Sequence, residues 1–115
     1  MTTTSATEPE HEASESLHHP QVGEIELAAV LHALSDPVRL KIVKILAAGG
    51  EHNCKSMELP VTKSTSTHHF RVLREAGVIH VRQDGTTRKN KLRRDELEAR
   101  FPGLLDAVLR ACVPH

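Results

Sequence analysis

Two sets of side chains in this sequence could do chemistry, and they suit different tasks. The first is cationic. Over residues 61–94, Lys63, Arg71, Arg74, Arg82, Arg88, Lys89, Lys91, Arg93 and Arg94 are opposed only by Glu75 and Asp84, a local charge of +7 in a chain whose formal net charge is +0. Charge at that density serves phosphate recognition, and the whole-chain balance hides it. The second set is imidazole: the chain has 9 histidines. Imidazole with carboxylate or water suits Ni²⁺, Zn²⁺ or Co²⁺, and His18-His19 could meet His32, Asp106 or His115 as such ligands. His52-x-Cys54, beside Glu51, is a partial site of the same kind. Cys54 and Cys112 are far apart and form no C-x-x-C pair, so free thiols are expected. There is no glycine-rich phosphate loop, and the Ser, His and Asp residues show no nucleophile setting, so an enzyme is not expected.

The elements that must position these groups follow from local signals. At 115 residues the chain has room for one small domain with a modest core. No apolar run is long enough for a bilayer, and Met1 to Gln21 lacks the apolar centre of a signal peptide. A cytoplasmic protein without a membrane partner is expected. Residues 1–20 hold one large apolar side chain, Leu17, and the acids Glu8, Glu10, Glu12 and Glu15 with no Lys or Arg. Such a stretch cannot offset its ordering entropy, so a disordered tail is expected, its histidines either solvated or serving as a metal-binding arm.

Residues 21–115 are read as the domain. Val22, Ile25, Ala29 and His32 are spaced for a first helix from Val22 to Leu34. Asp36 is a natural N-cap and Pro37 fits the first position of a second helix running to about Ala48, where Gly49-Gly50 ends it. Val38, Ile42, Ile45 and Leu46 are placed inward, with Arg39, Lys41 and Lys44 outward. A brief helix over about 54–59 precedes a turn at Val61–Lys63. Thr62 or Ser64 then caps a longer helix that ends at Ala76 before Gly77, with Ser66, His69, Phe70 and Leu73 inward. Val78–Val81 and Thr86–Leu92 flank Asp84-Gly85, a hairpin signal whose two central positions want positive φ. This is a wing carrying Arg88, Lys89 and Lys91. Pro102 divides the remainder into a helix near 94–100 and another from about 102. The fold class is mainly α with a β-hairpin wing, a winged helix-turn-helix. The last apolar stripe either completes the protomer core or packs with the first helix across a twofold axis. Ile25, Ala29, His32, Leu104, Leu105, Val108 and Cys112 are the expected dimer contacts.

ALSDPVRLKIVKIL, followed by STSTHHFRVLREAGVI and a DG hairpin, resembles the ArsR/SmtB family of bacterial winged-helix repressors over roughly residues 24–110. The resemblance implies a homodimer on double-stranded DNA with an inverted-repeat operator, released in many members by a metal. It implies that Lys63 to Ala76 is the recognition helix, with Lys63, Ser64, Thr65, Thr67 and His68 toward base edges and phosphates, and Arg71 and Arg74 on the DNA backbone. Three features depart from the family's pattern. Ser66 stands where an apolar residue is usual, and Asn90-Lys91 where the second wing strand often has an aromatic. Cys54 is alone where a thiolate box needs two cysteines, and Asp106 and His115 lack the histidine pairs of the last-helix site. The expected signal is therefore Ni²⁺ or Zn²⁺ through histidines, or else a protein co-regulator, a small molecule, or oxidation of Cys54 or Cys112.

Overall fold

Capping chemistry decides where the helices begin and end. In the computed structural model, which describes residues 17–112, Asp36 caps α2 (Pro37–Ala47) by accepting from the Val38 and Arg39 N–H groups at 2.8 and 3.1 Å. Asn53 caps the short α3 (Cys54–Met57) through the Ser56 N–H. Thr62, not Ser64, caps the 14-residue α4 (Lys63–Ala76), and Gly77 ends it at φ 88° in the left-handed region. A Cβ at Gly77 would come within 2.6 Å of Ile25 Cγ1, so this position answers to both conformation and space. The wing is an antiparallel pair, β1 (Ile79–Asp84) with β2 (Thr87–Leu92). It is followed by α5 (Arg94–Arg100) and, past Pro102-Gly103, by α6 (Leu104–Ala111). One core joins them: Ile42, Val43 and Leu46 of α2, Phe70 and Leu73 of α4, Ile79 and Val81 of β1, Leu97 of α5 and Leu105 of α6. The fold is a winged helix-turn-helix, as the order of elements implied. Among the described residues no helix is long and apolar enough to cross a membrane.

Several details differ from the reading of the sequence. The first helix is broken. A 3-10 turn at Val22–Glu24 and an extended Ile25 precede α1 (Leu27–Ala33). Ile25 is buried against Gly77, and its carbonyl accepts from Arg100 Nε at 2.8 Å, a bond that a continuous helix would take for itself. Ile25 and Leu105 are thus inside the protomer rather than on a dimer face, while Ala29 and His32 are exposed and Leu104, Val108 and Cys112 half-buried. The hairpin's central residues are Gly85 and Thr86, not Asp84-Gly85, since Asp84 pairs with Thr87. Only Gly85 has positive φ, which is the pattern of glycine at the first central position. The end of the expected tail is also placed: Leu17 packs against the core and Pro20 is buried.

The largest correction is Arg39, which points inward and is 7 % exposed. Its Nε donates to the Ala33 carbonyl at 2.7 Å and its Nη2 to the His32 carbonyl at 3.3 Å. Its Nη1 meets His69 Nδ1 at 3.1 Å. A guanidinium can only donate, so Nδ1 accepts and the His69 proton sits on Nε2, 3.8 Å from Asp36 Oδ2. Burial alone would raise the pKa of Asp36, yet the backbone N–H bonds from Arg39 and Val38 and the nearby His69 and Arg39 hold it below the usual carboxylate range. One side chain therefore ties the end of α1, the start of α2 and the middle of α4. Arg39→Met should lower unfolding free energy by about 2–3 kcal/mol, because it strips the donor from two buried acceptors. Urea denaturation measures this, and Arg39→Lys should recover little of it because an ammonium lacks the planar fork. An unchanged midpoint in Arg39→Met would refute the junction.

Candidate nucleic-acid interface

The exposed face of α4 is polar from its first turn. Lys63, Ser64, Thr65, Thr67, His68 and Arg71 are all exposed, while Ser66, His69, Phe70, Leu73 and Ala76 face the core. Ser66 is buried at a position that carries no apolar anchor. His69, held by Arg39, supplies the fixed point that an aliphatic residue would otherwise give. The helix N-terminus faces outward with its hydroxyls: Thr62 Oγ1 lies 3.0 Å from Thr65 Oγ1, and Thr67 Oγ1 bonds back to the Lys63 carbonyl. Free N–H groups and hydroxyls at a helix N-terminus suit phosphate oxygens.

Beside α4 runs a groove whose other wall is the wing. Lys63 and Thr67 of α4, Asn53, Cys54 and Lys55 of α3, and Gln83, Thr87 and Arg88 of the wing line its outer part. Arg71 and Arg74 line its inner part with Phe70, Val81 and Asn90. Burial raises the Cys54 thiol above its ordinary pKa, so it is not an activated thiolate.

Strand alternation divides the wing cations. Arg88, Asn90 and Leu92 share the face turned toward α4, with Arg88 at its open end. Lys89 and Lys91 lie on the other face, opposite Arg82 and His80. There Arg82 holds Glu51 through two bonds of 2.7 and 3.1 Å. That hydrogen bond, with Lys91 and Lys89 nearby, keeps the Glu51 carboxyl below its usual range. Arg93 is likewise bonded to Glu96 at 2.7 Å, and Arg94 to the Ala47 carbonyl at 2.8 Å. Of the expected DNA contacts, Lys63, Thr67, Arg71 and Arg88 come together around one groove. Lys89 and Lys91 do not join them, and Arg74 has its side chain largely covered, bonded to the His18 carbonyl at 3.1 Å and 3.9 Å from Glu75.

Both outer edges of the wing are closed at one rung. Asn90, 1 % exposed, exchanges backbone bonds of 2.9 and 2.8 Å with His52, and its side-chain amide donates to the same carbonyl. Its rung partner Val81 donates its N–H to His19 Nε2 at 3.0 Å. Asn90 is therefore a clamp where the family often has an aromatic. Apolar spacing cannot reveal such a residue, although an Asn two places before Leu92 on the inward face is a signal for one.

Among the described residues, the proposed metal ligands are not gathered within the protomer. His19 lies against the wing, stacked on His80 with ring centroids 4.3 Å apart, its Nε2 already used by Val81. His32 is exposed on α1, Asp106 is exposed on α6 within 3.8 Å of Arg110, and His115 lies outside the described residues. Among the described residues no three His, Cys, Asp or Glu side chains stand close enough to hold one ion.

Comparison with known proteins agrees with this geometry. The sequence pattern of the helix-turn-helix domain family matches residues 34–82. An uncharacterized HTH-type transcriptional regulator, YceK of Bacillus subtilis, is 36% identical over 84 residues, which is 70% of this chain and 84% of the relative. The putative arsenical resistance operon repressor ArsR of Halobacterium salinarum is 41% identical over 63 residues, 52% of this chain and 49% of its own length. The crystal structure of the transcriptional repressor BigR from Xylella fastidiosa superposes with a TM-score of 0.61 at 26% identity, covering 100% of both chains.

The state of His19 gives a measurable consequence. Burial, then the neighbouring His80, Arg74 and Arg93, lower its pKa from 6.5 to about 4, against a hydrogen bond to the Leu17 backbone that raises it. Docking of Leu17–Pro20 therefore favours the neutral ring. It should be complete above about pH 6.5, weaken as the pH falls toward 4, and change little below that. Hydrogen exchange at the Val81 amide reads this directly: protection should fall across that window. Protection that is flat from pH 7 to pH 4 would contradict the assigned ring state.

Proposed function

The chain belongs to the ArsR/SmtB family of winged helix-turn-helix transcriptional regulators, which bind DNA, and from that we propose that it acts as a homodimer on an inverted-repeat operator. In this reading α4 enters the major groove, with Lys63, Ser64, Thr65, Thr67 and His68 at base edges and nearby phosphates. Arg71 and Arg88 hold the DNA backbone on either side. The observation that carries it is the groove shared by Lys63, Thr67, Arg71 and Arg88, with no acidic residue among the described residues of its lining. A twofold dimer places its half-sites about one helical turn, ~10 base pairs, apart. The dimer face is supported by Val22 of the 3-10 turn and by Leu27 and Leu31 of α1, which are 40, 46 and 46% exposed. Exposed large apolar side chains such as Leu27 and Leu31, one turn apart on α1, fit a surface covered by a second copy. Ala29 and His32 are also exposed on α1, and Leu104, Val108 and Cys112 of the C-terminal segment are only half-buried.

A signal by Ni²⁺ or Zn²⁺ is proposed in a narrower form. His32 and Asp106 are exposed on α1 and α6, the two elements assigned to the dimer face, so a site would need ligands from both protomers. Titration calorimetry on the wild-type protein should show stoichiometric uptake of one of these ions, lost in His32→Ala. No uptake at micromolar metal would end the metal reading and leave DNA binding untouched.

The DNA reading makes a face-specific prediction. Arg71→Ala and Arg88→Ala should each weaken binding to a duplex from the region upstream of its own gene. Each should also reduce the slope of log K against log salt by about 1, the loss expected for one phosphate contact. Lys89→Ala, on the far face of the wing, should change neither by a comparable amount. Fluorescence anisotropy across a salt series measures all three. If Lys89→Ala costs as much as Arg88→Ala, the wing does not meet DNA by the face that adjoins α4.

A further inference from the structure

The chain segment that enters the domain does so across the DNA-reading side. Leu17 lies in the inner groove with Phe70, Arg71, Arg74 and Arg88. The His18 carbonyl takes a bond from the Arg74 guanidinium at 3.1 Å. His19 is fixed on the β1 edge by Val81 and the ring of His80. Pro20 is buried. These four residues set where the preceding chain begins: at the Leu17 end, in the groove that Arg71 and Arg88 also line. What precedes Leu17 carries Glu8, Glu10, Glu12 and Glu15 and no Lys or Arg. Glu15 is two residues from Leu17 in sequence, about 7 Å of fully extended chain, a span short enough for its carboxylate to reach those guanidinium groups. Sixteen residues reach up to about 55 Å, more than twice the ~21 Å length of α4. Tethering over so short a distance gives effective concentrations in the millimolar range, so individually weak carboxylate contacts can compete with DNA.

We propose that the acidic residues 1–16 of this chain dock in the groove between α4 and the wing and compete with DNA for Lys63, Arg71 and Arg88. The docking half stands on the anchored Leu17–Pro20 segment and on charge complementarity, and the competition half rests on the DNA-binding reading above. The arm acts as an intramolecular polyanion, and its apolar anchor is Leu17. Its hold must weaken with salt for the same reason that DNA binding does. An intact arm therefore lowers DNA affinity most at low salt and makes the salt dependence of the whole chain shallower.

Two measurements on the full chain test the two halves separately. The first needs no DNA. Amide NMR spectra of the wild type and of the variant combining Glu8→Gln, Glu10→Gln, Glu12→Gln and Glu15→Gln should differ at Lys63–Arg71 and Thr86–Arg88. Differences confined to residues 1–16 would overturn the docking. The second is anisotropy with the upstream duplex, using Leu17→Ser, which keeps all four glutamates and removes the anchor. It should bind roughly three- to tenfold more tightly than wild type at low salt, with the gap closing as salt rises. A general charge effect predicts no gain for Leu17→Ser, so unchanged affinity overturns the competition. If no variant binds DNA at any salt, the DNA reading fails, and the NMR comparison still decides whether the arm docks.

Discussion

Arg39 is the interaction on which the placement of the other elements depends. A guanidinium cannot shed its charge, so once buried it must find acceptors in a fixed planar arrangement. It finds the last carbonyls of α1, that of Ala33 and that of His32, which Ser35 also bonds, and the ring of His69 in the centre of α4. A cation there also faces the negative end of the α1 dipole. The relative setting of α1 and α4 is thus fixed by hydrogen-bond directions, which tolerate less sliding than apolar contact does. The wing follows from α4, because Gly77 turns the chain directly into Val78 and β1, and Val78 bonds back to the Leu73 carbonyl at 2.9 Å.

Electrostatic sorting is the second organising fact. The cationic stretch is not a uniform surface. Arg82, Arg93 and Arg94 are committed to Glu51, Glu96 and the Ala47 carbonyl, all contributed from outside residues 61–94. The first of these bonds ties the wing to the body, and together they leave a smaller set around the groove. Lys63, Arg71 and Arg88 then share a site flanked by hydroxyls, with no carboxylate among the described residues that line it. The relatives are regulators rather than enzymes.

Much of this was legible because local chemistry governs it. Asp36-Pro37, Thr62 and Gly77 act through bonds to the next few residues, so their roles survive without knowledge of the rest of the chain. What escaped depends on partners far away in sequence. The charge of Arg39 points to an outward position, yet Arg39, Ile42, Val43 and Leu46 keep helical spacing and all are buried. Spacing alone would have placed it correctly; hydropathy overruled it. Ile25 leaves the helix for Gly77 and Arg100, contacts that no window around residue 25 contains. The wing cations are parted by alternation, which was present in the sequence but not applied to side chains read as a simple charge cluster.

The closure of the wing at the Val81–Asn90 rung carries a consequence for colloidal behaviour. A two-stranded hairpin ordinarily offers two unpaired edges to any neighbouring extended chain. Here His52 occupies one of them, and His19 takes the Val81 N–H on the other. The β2 side is closed by backbone that is integral to the domain, whereas the β1 side is closed only by a side chain at the entrance of the chain. Shortening the protein past His19 therefore removes more than an arm: it uncovers a strand edge, and with it a route to self-association through β-pairing.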